Sequence, residues 1–514
     1  MKTEGKIPVM IGVTGHRDIC PEALPVIRQK VREQLERIKN ACPHSPVKLL
    51  CSLAEGGDTV CAREALDLGI PVIAALPFEA DEFRKDFTGS ALDEFNELLE
   101  KSECIIVSPD TEMRPDKDRD YFYRQNGIYV ASHCHVLLAL WDGNEPAENA
   151  CGTSAAVYFA LEGDFETAYG TLIRPKGNTG VIRISSPRIS HESCPAGEVI
   201  MLGDAEKTER ILCRTDSFNA LSEEQSTDPD PRLGAVWTVA DRLSISFSEK
   251  VGRLLLLLAV MGTGISFTFL MYDEAELHWM LFFCGVMLAA ALFFSIRCSR
   301  GLYHQKYLEY RVLAETERIR SFLRLAGSAV RPEMLMSWMM QLEMPWVADA
   351  CAALSVAPPP DSSEDITECW IKAQRDYHHD ALRISSKKDR LSGNIVTATS
   401  IISILTYVFA LAYEIMVIRG TVPEVELVRT IVKIVLGTVS AGTLFISGYY
   451  GKLSLSRQSS DHRKMELFYD RALEKLARYG QTEELLAAIV REELAENGNW
   501  YSYRIENSPG LELG

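Results

Sequence analysis

The chain has 514 residues, enough for two or three domains with real cores. A net charge of −17 and a pI near 5.2 argue against a surface that coats nucleic acid, so no nucleic-acid polymer is expected as a partner. The 13 cysteines are scattered without a Cys-x-x-Cys pair and read as reduced thiols of a cytosolic domain, not as a disulfide framework.

The opening residues, Met1 to Pro8, lack a signal-peptide apolar region, which places the start of the chain in the cytoplasm. Apolar runs follow at Val9–Val13, Val47–Leu53, Pro71–Leu76, Cys104–Val107 and Val136–Trp141. Between them lie helical patterns. Leu24–Asn40 puts Leu24, Ile27, Val31, Leu35 and Ile38 on one face. Thr59–Leu68 is stopped by Gly69, and Asp81–Glu100 and Tyr121–Ser132 complete the series. This alternation predicts an α/β Rossmann-like, doubly wound, mainly parallel sheet with ligand turns at the strand C-termini.

Two turns stand out: Ile11-Gly-Val-Thr-Gly15-His16-Arg17 and Leu53-Ala-Glu55-Gly56-Gly57-Asp58. Each joins an apolar run to a helical pattern, so backbone N–H groups and a helix N-terminus come together, which suits a phosphate. Arg17 adds a fixed charge with bidentate geometry. A third turn, Trp141-Asp142-Gly143, leads to Gly152-Thr153. Arg17 either holds a phosphate or pairs with an acid such as Asp18. Asp58 either bonds a ribose hydroxyl or caps the following helix. Glu55 is a general acid/base candidate or a turn residue, and Trp141 stacks on a base or ends its strand as core. His133-Cys-His135 invites a metal reading, but no Cys/His cluster stands nearby in sequence, so a structural role is favoured and no metal or other cofactor is expected.

Residues 165 to 235 are less regular. Gly177-Asn-Thr-Gly180 before Val181–Ile184 suggests a hairpin or an added strand, and Ser222–Arg232 reads as an exposed linker. The character then changes. Leu254–Tyr272, Trp279–Ile296, Ile395–Tyr413 and Ile431–Tyr450 are each about long enough to span a hydrocarbon core, and they form two hairpins. Lys433, near one end of the fourth, lines a pore or snorkels. Lys250, Arg253, Arg297, Arg300, Lys387, Lys388, Arg390, Lys452 and Arg457 flank the spans on one side, which predicts both termini and the central segment in the cytoplasm. Helix, span, short loop, span, helix occurs twice, with Pro358 to Pro360 and Ser362-Ser363 marking the joint. The domains so read are 1–235, 236–357 and 358–514.

These residues carry a resemblance. Gly12-Val-Thr-Gly-His-Arg17, Ala54-Glu-Gly-Gly-Asp58, Leu76-Pro-Phe78, Arg84-Lys-Asp86, and Leu140-Trp-Asp-Gly143 with Gly152-Thr153 are similar to the SLOG superfamily. That Rossmann-like group includes the Smf/DprA proteins and the LOG phosphoribohydrolases. The membrane half resembles the two-span SLATT effector modules at Trp370-Ile-Lys-Ala-Gln374, Tyr377-His378 and Trp500-Tyr501. The resemblance implies an antiphage effector in the bacterial inner membrane. A nucleotide-derived signal would bind among the three turns, with Phe78 and Arg84 beside them, and a homo-oligomer would open a pore or disrupt the lipid bilayer. The LOG loop Pro-Gly-Gly-x-Gly-Thr-x-x-Glu is replaced here by Trp141-Asp-Gly-Asn-Glu-Pro146. A ligand sensor is therefore expected ahead of the alternative, a membrane-anchored nucleotide hydrolase.

Overall fold

In the computed structural model the apolar runs of the first half form one sheet, and the rest of the chain is helical. The structure describes residues 5–108, 117–145, 151–165, 170, 173, 175, 177, 179–190, 194–225, 228–356 and 364–507. Pro146, Asn178, the Pro358 to Pro360 joint and Ser362-Ser363 lie outside the described residues. In chain order come β1 (Val9–Gly15), α1 (Leu24–Ala41), β2 (Val47–Cys51), α2 (Gly57–Asp67), β3 (Val72–Leu76), α3 (Ala80–Phe83), α4 (Ser90–Glu100), β4 (Glu103–Ile106), α5 (Arg119–Ser132), β5 (Val136–Trp141), α6 (Thr153–Glu162), β6 (Gly180–Ser185), β7 (Val199–Leu202) and α7 (Ala205–Ser222).

The strand order is β4-β3-β2-β1-β5-β6-β7, parallel throughout except for β7, which pairs antiparallel with β6. Successive strands run outward from β1 on one side, and the chain then returns to its other side. The reversal leaves a crevice beyond the C-terminal ends of β1 and β5. Side chains alternate across the sheet: Val9, Ile11 and Val13 enter one apolar layer and Met10 the other. The expected Asp81–Glu100 helix is divided. A 3-10 turn at Arg84–Asp86 follows α3, Phe87 is extended, and Gly89 takes φ +55 before α4 begins.

The helices that follow are α8 (Gly234–Glu274), α9 (Met280–Arg300), α10 (Tyr303–Leu325), α11 (Trp338–Glu343), α12 (Pro345–Ser355), α13 (Ala373–Ile418), α14 (Glu426–Leu453), α15 (Leu455–Tyr479) and α16 (Glu483–Glu506). Among the described residues, four helical stretches are long and apolar enough to cross a membrane by length and composition: Gly234–Glu274, Met280–Leu325, Thr367–Ile418 and Glu426–Tyr479. At most 17% of any of their most apolar windows is buried inside the protein, so most of that apolar surface faces outward.

The chain divides into two compact units. The first holds 1–240, 312–364 and 482–498, and the second 241–311, 365–481 and 499–514. In the first, α7 closes one end of the sheet. Asn219 accepts from the Ile7 amide and donates to the Ile7 carbonyl, both at 2.8 Å, imitating a strand neighbour. Trp346 of α12 packs 6.4 Å from Phe218 of α7.

In the second unit one pattern is built twice. The opening part of a long helix pairs with a later polar helix, and its apolar part is followed by a second apolar helix. Asp241 and Phe247 of α8 meet Arg311 and Tyr303 of α10. His378 and His379 of α13 meet His462 and Glu466 of α15, and farther along Ser403 meets Ser440 of α14. The joints match as well: Leu302 and Ser454, each just before the polar helix, both take a left-handed φ, +51 and +54. Where apolar helices cross, a Cβ on Gly262 or Gly437 would lie 2.5 or 2.6 Å from the ends of the Phe445 or Leu270 side chains, which would have to shift to admit it. The Lys433 ammonium pairs with Glu274 at 2.7 Å.

Candidate functional site

The three turns singled out in sequence meet at the ends of β1, β2 and β5. His16 N donates to Leu140 O at 3.1 Å, and Gly57 N donates to His16 O at 3.0 Å. Gly15 and Gly57 touch: a Cβ on either would lie 2.6 Å from the other's Cα. Gly56 takes φ +90 under the carbonyls of His16 and Arg17, where a Cβ would come within 2.5 Å. These glycines are required by the close approach of two turns.

A cavity of about 490 Å3 opens over this junction. Gly15, His16, Arg17, Asp58, Gly152 and Thr153 line it. Gly152 is the N-cap of α6 and offers no side-chain cap, so the first backbone amides of a ten-residue helix point toward the opening. Arg17 is exposed at the rim, with its guanidinium 5.7 Å from the Tyr123 ring centre. The arrangement offers an anion two kinds of donor, helix amides and guanidinium.

Asp58 is 4% exposed and lies in the first turn of α2. Its carboxylate accepts from the Ala54 amide at 3.4 Å. Burial pushes it up to about 7, against the opposing pull of the Ala54 and Ser52 amides and of Arg17. Burial also lowers His16, and its contact with Asp142, 3.1 Å from Nε2, only partly offsets this. Asp142 is thereby tied to the first turn from behind the cavity wall. Asp18 pairs with Arg188 at 2.8 Å and not with Arg17. Burial raises Asp18, yet hydrogen bonds from Arg188 and Ser190 carry it below the ordinary carboxylate value.

The remaining predicted residues sit elsewhere. Glu55 is exposed and outside the cavity lining. Phe78 is 1% exposed within a ring cluster that includes Phe83 and Phe122, and the Arg119 guanidinium lies 4.5 Å from its ring centre. Arg84 binds Asp81 and Asn96. Trp141 is core at the end of β5, donating to Asn144 O at 3.1 Å with Arg183 over its ring. Gly143 takes φ +95 against that same Arg183. His133 bonds the Tyr129 carbonyl at 2.7 Å, and His135 accepts from the Met10 amide at 3.1 Å. Both histidines therefore serve the fold.

Sequence reasoning missed the wall supplied by α5: Asp120, Tyr123, Asn126 and Gly127. Asn126 is 3% exposed and donates to Ser52 Oγ at 2.7 Å. The available signal was the spacing of 120, 123 and 127, which puts polar and small residues on one helix face. Arg188 was also missed. A bridge between Ile19 and Arg188 carries it to the cavity from 170 residues downstream of Asp18. No family model and no curated protein matches this chain.

Proposed function

We propose that this chain is a nucleotide-signal-gated membrane effector of a bacterial antiphage or conflict system. A nucleotide-derived ligand would settle in the crevice beyond β1 and β5, with its phosphate against the α6 amides and Arg17. Several copies would then assemble and let the apolar helices open a pore or disrupt the bilayer. One observation carries this reading: a cavity with anion donors at the reversal point of the sheet, in the same chain as four outward-facing apolar helices. The resemblance to SLOG and SLATT modules supports it. A ligand can move such a system only by its differential affinity for two states of the membrane half.

The test uses the intact chain in dye-loaded liposomes, with a panel of nucleotides and cyclic oligonucleotides added outside and inside. Leakage triggered by one member, and lost in Arg17→Ala, is the expected result. Turnover of that nucleotide without leakage would instead favour the hydrolase. The soluble fragment 1–235 is a poor substitute, since it would strip Trp346 from Phe218 and expose the core of the first unit.

A further inference from the structure

A second opening lies where α13 and α14 leave their apolar stretches. There a groove of about 790 Å3 runs between α13, α14 and α15, with Tyr503 on one side. Asp389 and Ser392 precede the apolar run that starts at Ile395, and Ser447 and Ser454 straddle the end of the run that closes at Tyr450. If α13 and α14 cross a bilayer, on which this inference rests, the groove lies at the level of the lipid headgroups.

Its lining carries charges of both signs: Asp389 on α13, and Arg457, Asp461 and Lys464 on α15. Arg457 stacks over Tyr503, 4.1 Å from the ring centre, which fixes the guanidinium plane and leaves its edge for a ligand. Arg457 and Lys464 share a single acid, Asp461, at 3.7 and 3.2 Å, so this end carries surplus positive charge. Ser392 and Ser454 spend their hydroxyls on the Asp389 carbonyl and on Tyr503, and Ser456 and Ser460 add hydroxyls to the lining of the kind that phosphate oxygens accept from. Asp389 lines the same groove, and among the described residues no cation pairs with its carboxylate. An apolar flank begins at Val396.

We propose that this groove binds the headgroup of an aminophospholipid. The phosphate sits against Arg457 and Lys464, the primary ammonium against Asp389, and the acyl chains run along the apolar faces of α13 and α14. Phosphatidylcholine offers the same phosphate, but its quaternary ammonium has no N–H to donate. Phosphatidylglycerol has the phosphate and no cation. The chemistry therefore selects phosphatidylethanolamine over both.

The experiment is native mass spectrometry of the intact protein from micelles with equal amounts of phosphatidylethanolamine, phosphatidylcholine and phosphatidylglycerol. Wild type is expected to retain phosphatidylethanolamine about tenfold over the others, the worth of one charge-assisted hydrogen bond. Asp389→Asn should level phosphatidylethanolamine with phosphatidylcholine, and Arg457→Gln with Lys464→Gln should abolish retention of all three. Arg457 and Lys464 are exposed and Asp389 is half-buried, and an unchanged thermal midpoint in phosphatidylcholine micelles shows that the variants fold. Equal retention of the three lipids by wild type, or an unaltered preference in the variants, overturns the proposal. So does stabilisation by millimolar inorganic phosphate or phosphoethanolamine equal to that by the lipid, which would mark a site for free phosphate. Alkaline carbonate extraction separates the underlying reading: release of the protein from membranes refutes the spans, whereas retention without lipid preference refutes the headgroup site alone.

Discussion

At the residue scale the junction of turns is held by groups with no room for alternatives. A methyl group at Gly15 or Gly57 would strike backbone, which cannot yield as a flexible side chain can. Gly57→Ala is expected to destabilise the first unit by about 1–3 kcal/mol, read as a lower thermal midpoint in detergent. Asp58 adds a pH dependence whose sign follows from its raised value of about 7. The folded protein holds a proton there that the unfolded chain releases near pH 4. The stabilising contribution is complete below that point and is lost as pH rises through 7. Midpoints measured from pH 5 to 8.5 should therefore fall less steeply in Asp58→Asn than in wild type. Removing Arg17 should cost about 1.5–3 kcal/mol of anion binding, roughly ten- to hundredfold in affinity by calorimetry with the activating nucleotide. The glycine-bearing turns and Arg17 were legible because phosphate chemistry dictates residue type locally. Phe78 and Arg84 also sat in a recognisable motif, but ring packing and Asp81 claim them, and motif spacing does not report which face of a short helix turns inward.

At the element scale α5 is the most informative piece. Asp120, Tyr123 and Gly127 border the cavity from its first nine residues, while its last residue is gripped by a segment beyond α10. Arg331 donates to Ser132 Oγ at 3.1 Å and to Glu333 at 2.6 Å, and the Glu333 side chain is 2% exposed. Release of that grip by Ser132→Ala, which leaves the Arg331–Glu333 pair intact, is expected to leave nucleotide affinity within about twofold while abolishing nucleotide-dependent leakage, because a hydrogen bond at the last residue of the helix contributes little to the pocket earlier along it. Equal loss of both would show that α5 only builds the pocket. Arg318 and Arg320 are less suitable targets. Arg320 holds Glu317 and the Leu354 carbonyl, and Arg318 holds Glu493, so their reversal would leave buried carboxylates without partners. Strands were readable from apolar runs and their order from alternation with helices. The break at Arg84–Asp86 was not, since Phe83, Phe87 and Phe95 imitate one continuous helical face while stacking on each other around a turn.

At the scale of the whole molecule, the ion pair between Glu274 and Lys433 can be tested by exchange. Lys433→Glu should lower the thermal midpoint by the loss of about 1 kcal/mol, and adding Glu274→Lys should restore it. Reporters at residue 1 and at 514 are expected inside and one near Glu276 outside, in keeping with the Lys/Arg bias. The four long apolar helices were plain from composition, because length and apolarity are read from residue type without regard to partners. The recruitment of 312–364 and 482–498 into the unit that holds the sheet was hidden, because it depends on contacts between stretches hundreds of residues apart.

The unbroken course of α13 has a mechanical corollary. Its 46 residues form a rod about 69 Å long, whose opening turns engage α15 and whose closing turns engage α14. Both engagements share one helical phase. Inserting a single alanine near Ser392 would rotate one engagement against the other by about 100°, whereas inserting seven would restore the phase to within about 20° while lengthening the rod by about 10 Å. Comparing the two insertions would reveal whether torsion or displacement passes along the rod.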